Sequence, residues 1–174
     1  ISASGTESAS ARALAVEALS AIGTDTHRVV LESALVDREL QVRKAAATGL
    51  GRLGSSAKST SALIDRLRVE SDDRVREQLA FSIGRTWTPD SRDSAVASLS
   101  SAIDVGPDLV RQACAISLGR IGGRSAESEL KELLADRKRD EAVRVSAAEA
   151  LGQLRSDDGV PALVAASGGD ESSQ

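Results

Sequence analysis

The chain has 174 residues, 41% of them hydrophobic, and a formal net charge of −4, which is enough for one domain with a sizeable core and too apolar for wholesale disorder. That charge balance lacks both the basic excess of a nucleic-acid binder and the acidic blocks of a disordered tail. No apolar run approaches the ~20 residues that cross a bilayer and no secretory signal opens the sequence, so a soluble protein is expected, and the unpaired Cys114 favours the cytoplasm over an oxidising compartment.

The polar ends, residues 1–8 and 167–174, are expected to be mobile, and the start at Ile1 points to a piece of a longer protein. Between them one 13-residue motif is written five times: ARALAVEALSAIG at 11–23, VRKAAATGLGRLG at 42–54, VREQLAFSIGRTW at 75–87, VRQACAISLGRIG at 110–122 and VRVSAAEALGQLR at 143–155. The starts are 31, 33, 35 and 33 residues apart, room for two helices and two turns, so each unit is predicted to be a helical hairpin. With the first residue of each window as offset 0, apolar or small residues recur at offsets 0, 3, 4, 7, 8 and 11, the stripe of a packed helix.

Leu19, Leu50, Ile83, Leu118 and Leu151 share offset 8 and are predicted to anchor the core. The intervening segments 26–36, 58–69, 90–103, 126–135 and 160–166 show helical spacing and are predicted first helices, leaving the first hairpin without one and the last as a stub. Thr24, Asp90 and Asp158 are expected N-caps, and Gly23, Gly54 and Gly122 expected terminators. A single domain over 1–174 follows. With one Phe, one Trp and neither Tyr nor Met, its core must come from Ala, Leu, Val and Ile, with helices close together.

The pattern V-R-x-A-A-x-x-x-L-G-x-L-G, preceded by Glu39, Asp72, Asp108 or Asp140, resembles the HEAT-like repeats named after phycobilisome lyases. All five units fit. The resemblance implies an all-α fold, a right-handed α-α superhelix of about five hairpins whose second helices line the concave face. Similar proteins serve as partner-binding scaffolds, chromophore-lyase subunits, an iron-dependent hydroxylase and domains of signalling proteins, so the fold does not imply one function. The hydroxylase branch holds iron with His-Glu pairs, whereas this sequence has only His27, so that activity is not carried over. Thr86 and Trp87 replace the apolar residue and Gly of the third window, and Thr88-Pro89-Asp90 continues the irregularity.

On a second helix so placed, offsets 2, 5, 6 and 10 point away from the core stripe. Offset 10 reads Arg52, Arg85, Arg120 and Gln153, a guanidinium row suited to carboxylates or phosphates, although cations near helix C-termini are also favoured by the macrodipole. Offset 6 varies through Thr48, Phe81, Ile116 and Glu149; Phe81 and Ile116 form an apolar pair beside Arg85 and Arg120, as in an interaction hot spot, unless superhelical twist buries them. Offset 5 is Ala47, Ala80, Ala115 and Ala148, which either leaves room in a groove or reflects helix propensity. Offset 1 is Arg in every copy; next to the acidic residues Arg43, Arg76, Arg111 and Arg144, like Arg12, are expected to form a structural inter-repeat ladder that also satisfies loop carbonyls.

The five windows hold ten basic and three acidic residues, so the repeated helices are the basic part of an acidic chain. Cys114 at offset 4 reads as a buried small hydrophobe, His27 as a surface or capping residue, and Trp87 as either packed in the junction or exposed at its edge. No nucleophile with an orienting base, no phosphate loop and no zinc spacing occurs; GRIGGR at 119–124 ends a helix instead of following a strand. The expectation is a non-enzymatic scaffold without catalytic residues, cofactor or metal, which binds an acidic, partly apolar segment of a protein partner and self-associates end to end. A lyase-type or chaperone-like subunit and a nucleic-acid clamp are the alternatives; the acidic net charge and the scarcity of aromatics weigh against the clamp.

Overall fold

The computed structural model describes residues 8–168 and, among them, helices without strands. In order these are α1 (Ala9–Ile22), α2 (Arg28–Ala34), α3 (Leu40–Leu53), α4 (Ala57–Val69), α5 (Asp73–Thr86), α6 (Arg92–Val105), α7 (Asp108–Ile121), α8 (Arg124–Ala135), α9 (Glu141–Leu154) and α10 (Val160–Ser167). Short 3-10 turns, Asp25–His27, Pro89–Ser91 and Asp157–Gly159, lead into α2, α6 and α10. Most of the two ends expected to be mobile lies outside the described residues. Of their described members, Ser8 caps α1 by accepting from the Ala11 amide, and Ser167 closes α10.

The repeated windows are the odd-numbered helices, and each helix starts two residues before its window. Capping explains the difference: Asp72 accepts from the Arg74 and Val75 amides, and Asp140 from that of Ala142. Of the expected caps, Thr24 does precede the 3-10 turn that leads into α2, its carbonyl accepting from the His27 amide and its hydroxyl meeting the side chains of Thr26 and His27. Asp90 and Asp158 instead lie inside 3-10 turns, and the Thr88 amide donates to Ser91. Gly23, Gly54 and Gly122 follow their helices at φ 70, 77 and 65°, a region that favours glycine.

Successive second helices α1, α3, α5, α7 and α9 pack extensively, α3, α5, α7 and α9 each also cover their own first helix, and the first helices α2, α4, α6 and α8 touch one another only sparsely. The closer row is the inner one, and the stack is an α-α superhelix. Leu50, Ile83, Leu118 and Leu151 are buried between the layers, while Leu19 is only half-buried because no described helix flanks α1 on its far side.

Offset 5 is not a groove. Ala47, Ala80 and Ala115 are fully buried, and only Ala148 is partly exposed, because neighbouring second helices approach until backbone meets side chain. The Ser82 hydroxyl donates to the Ala47 carbonyl at 2.7 Å and Ser117 to that of Ala80 at 2.9 Å. A Cβ on Gly51, Gly84 or Gly119 would lie 2.8, 2.7 and 2.8 Å from atoms of Ser82, Ser117 and Ala150. At the first step the partners exchange places, with Gly49 of α3 facing Ser20 of α1.

Candidate functional site

The inner row of helices presents the residues at offsets 2, 6 and 10. Arg52, Arg85 and Arg120 are all exposed, and none has a hydrogen bond or ion pair among the described residues. Burial first, and then the like charge of Arg85, hold Arg120 below the usual arginine range. Phe81 and Ile116 are half-buried, with Phe81 leaning on the core. A helix so packed buries the inner edge of an offset-6 side chain and leaves the rest to solvent.

At the other end of the row a polar depression of about 460 Å³ lies between α1 and α3, lined by Glu17, Ser20, Gln41, Lys44, Thr48 and Arg52. One of its lining groups, the Ser20 hydroxyl, is buried without a hydrogen-bond partner among the described residues. Lys44 and Gln41 were not singled out from the sequence. Lys44 stands at offset 2, one of the outward offsets, and could have been found there; Gln41 precedes the window and carries no such signal.

The offset-1 arginines do not behave alike. Arg12 makes two hydrogen bonds to Asp37, at 2.9 and 3.1 Å. Arg43 makes two to Glu70, at 2.7 and 2.9 Å, and two more to the Asp37 and Arg38 carbonyls. Both reach the loop of the following hairpin. Arg111 instead bonds the Ile103 carbonyl and Asp108, Arg144 bonds the Leu134 carbonyl, and among the described residues Arg76 bonds Asp73, all within their own hairpins. The expected inter-repeat ladder is therefore confined to the first steps of the stack, and at Arg76, Arg111 and Arg144 that part of the expectation is corrected, although Arg111 and Arg144 do satisfy backbone carbonyls near the ends of their first helices. Between the last two full hairpins the tie is made by Arg139, which reaches the Ile103 carbonyl at 3.5 Å and Asp104 at 3.7 Å.

Glu70 is the electrostatic centre of the array. Its buried carboxylate accepts from Arg43, Arg66 and the amides of Ser71 and Asp72. Burial opposes its ionisation, but Arg43, the Asp72 amide and Arg66 outweigh that and hold the carboxyl at about 2. The Arg12 side chain lowers Asp37 in the same way.

Cys114 is fully buried, and desolvation pushes its thiol up to about 12. Trp87 ends α5, packs against the core and carries Arg92 4.9 Å above its ring centre, a cation-π contact that fills the irregular junction. His27 is half-buried, its Nδ1 3.0 Å from the Thr24 hydroxyl. Among the described residues no group of three His, Cys, Asp or Glu side chains could hold a metal ion, and no helix is long and apolar enough to cross a membrane.

A family model for HEAT repeats matches residues 2–84 and 94–174. The chain belongs to the HEAT repeat family. The stretch this model passes over contains Thr86, Trp87 and Pro89, where the third repeat departs from its siblings. Among solved structures this HEAT-repeat chain is similar to the complex of CpcE and CpcF of phycocyanin lyase from Nostoc sp., at 21% identity and a TM-score of 0.69 over 84% of this chain and 92% of that one. It is also similar to an engineered protein, at 20% identity and a TM-score of 0.58 over 94% and 82%. At such identities these likenesses show the fold alone. No curated protein matches the chain.

Proposed function

We propose that this HEAT-repeat chain is a non-catalytic protein-interaction scaffold whose inner face binds an acidic, partly apolar segment of a partner in the cytoplasm. The observation that carries this reading is the exposed pair Arg85 and Arg120, neither of which is ion-paired among the described residues, with the charge of Arg85 bearing on Arg120. Stacked like charges cost stability, and an external acid relieves that cost. Arg52 continues the row, and Phe81 with Ile116 supplies half-exposed apolar area beside it. The face is held by packed helices, so binding does not have to offset the ordering of a loop.

The test is selection from a random peptide display library on the wild-type chain, followed by counter-selection on Arg52→Glu, Arg85→Glu, Arg120→Glu. Expected winners combine Asp or Glu with Leu, Ile or Phe and are lost on the triple variant. Winners without acidic residues, or equal retention by both proteins, refute the assignment. Binding of single-stranded DNA that collapses between low and moderate salt favours a nucleic-acid clamp instead.

A second reading, a subunit of a chromophore lyase, is favoured by the fold shared with the CpcE and CpcF complex. It requires a companion subunit and a tetrapyrrole-carrying protein, and co-elution with an apo-phycobiliprotein distinguishes it from a plain adaptor. End-to-end self-association belongs to the same proposal. Gly152 repeats the glycine that admits the next second helix at Gly51, Gly84 and Gly119, yet a Cβ there meets no described atom within 4 Å.

A further inference from the structure

The outer row of helices holds a site that the inner face does not include. Arg12 and Arg43 each grip a carboxylate in the loop of the following hairpin, Asp37 and Glu70. Glu70 caps α4; the residue that caps α6 in a similar extended conformation is Gly106, in a loop one residue shorter. Gly106 has no side chain, and a Cβ there would stand 2.6 Å from the Ala102 carbonyl oxygen. Arg76, the counterpart of Arg43, therefore finds no acid in the loop of the following hairpin, which is Gly106-Pro107. Its side chain is only 15% exposed, and its one hydrogen bond, 3.2 Å to Asp73, goes to a half-exposed carboxylate. That bond uses one of the five N–H donors of the guanidinium.

A cavity of about 290 Å³ opens at that point between α4 and α6. Arg76 and Arg68 supply positive charge, Ser98 and Ser101 supply hydroxyls, and Leu67 and Val105 supply apolar wall. No Asp or Glu lines it. The neighbouring cavity between α6 and α8 is the reverse, lined by Asp104, Glu129, Glu132 and Asp136 together with Arg139, which pairs with Asp104 and Asp136. Within one repeated architecture, then, one step is closed by Glu70, another by Arg139, and the step between them is open, basic and partly apolar.

We propose that this cavity docks an Asp or Glu side chain of a partner protein, with an apolar residue beside it, the carboxylate taking against Arg76 the place that Glu70 takes against Arg43. Charge complementarity selects the occupant: Arg76 and Arg68 are paired with carboxylates three residues earlier, Asp73 and Asp65, that are themselves more than half exposed, and a planar anion in the cavity that accepts two parallel hydrogen bonds competes with those pairs. Leu67 and the exposed Val105 receive its apolar neighbour. This site lies on the outer row, away from Arg52, Arg85 and Arg120, and stands or falls separately from them.

The experiment is an NMR titration of the ¹⁵N-labelled chain with acetyl-Glu-Leu-amide and, in parallel, acetyl-Gln-Leu-amide. Saturable shifts at the Arg76 Nε–H and the Ser98 and Ser101 amides are expected with the Glu peptide, and at least tenfold weaker binding with the Gln peptide. Arg76→Gln should bring the Glu peptide down to the Gln level. Val105→Glu, at a residue 77% exposed, should abolish binding by supplying a tethered carboxylate, and Arg52→Glu, Arg85→Glu, Arg120→Glu should leave it unchanged. Equal affinities for the two peptides, indifference to both Arg76→Gln and Val105→Glu, or tighter saturation by inorganic phosphate than by the Glu peptide would overturn the proposal.

Discussion

Replacing Gly84 with Ala inserts a methyl group where α5 and α7 are in closest contact. Its Cβ would stand 2.7 Å from the Ser117 Cβ, 2.8 Å from its hydroxyl and 2.9 Å from its Cα. The hydroxyl could rotate, but the Cα cannot yield unless the two helices separate. Overpacking of this kind costs about 1–3 kcal/mol, and displacing Ser117 weakens its buried bond to the Ala80 carbonyl, a contribution of about 1 kcal/mol. Against these stands the higher helix propensity of Ala, worth about 1 kcal/mol. The net expectation is a loss of about 2 kcal/mol. Gly152→Ala is the matched control: the same offset, with no described atom within 4 Å, so only the propensity acts and stability rises by about 0.5–1 kcal/mol. Urea titrations followed by circular dichroism read both, and a slope unchanged from wild type confirms that the change lies in stability. If Gly84→Ala stabilises the chain as much as Gly152→Ala does, the close stacking of second helices is wrong.

Three further outcomes follow from the same geometry. Leu118→Ala empties a fully buried position between layers and should remove roughly 2–5 kcal/mol, splitting unfolding into separate steps because contacts join nearest neighbours; one sharp transition with little loss would count against the solenoid. Glu70, lowered from 4.5 to about 2, contributes on the order of 3 kcal/mol that is fully present above pH about 4.5 and is lost as pH falls through about 2. Glu70→Gln should abolish that part of the pH dependence and strand Arg43, and a Glu70 side-chain carbon resonance titrating near 4.5 in the folded chain would refute the argument. Cys114 should resist a thiol reagent such as dithionitrobenzoate at pH 8 in the folded chain and react fully in urea, because burial removes access and pushes its thiol up to about 12; rapid labelling without denaturant would contradict its burial.

Periodicity alone was enough for the five second helices, the first helices between them and the offset-8 core, because a 3.6-residue stripe written at a constant spacing admits few other structures. Glycine punctuation was legible for a similarly local reason: Gly23, Gly54 and Gly122 each sit at a positive φ that their own residue type favours. Offset 5 was not legible, since the distance between neighbouring helices is set by pairs such as Gly84 with Ser117, which lie 33 residues apart in sequence and acquire meaning only on contact. The arginine row shows the same division. Five identical offsets announce one role, but whether each guanidinium finds Asp37, Glu70, a loop carbonyl or an open cavity depends on what the following hairpin places opposite it, and loop length and the single residue Gly106 decide that in three dimensions. The sequence thus determined the helices and their repetition through local rules; the tertiary structure decided which charges are spent within the array and which remain for a partner, because pairing depends on distances that no periodicity encodes.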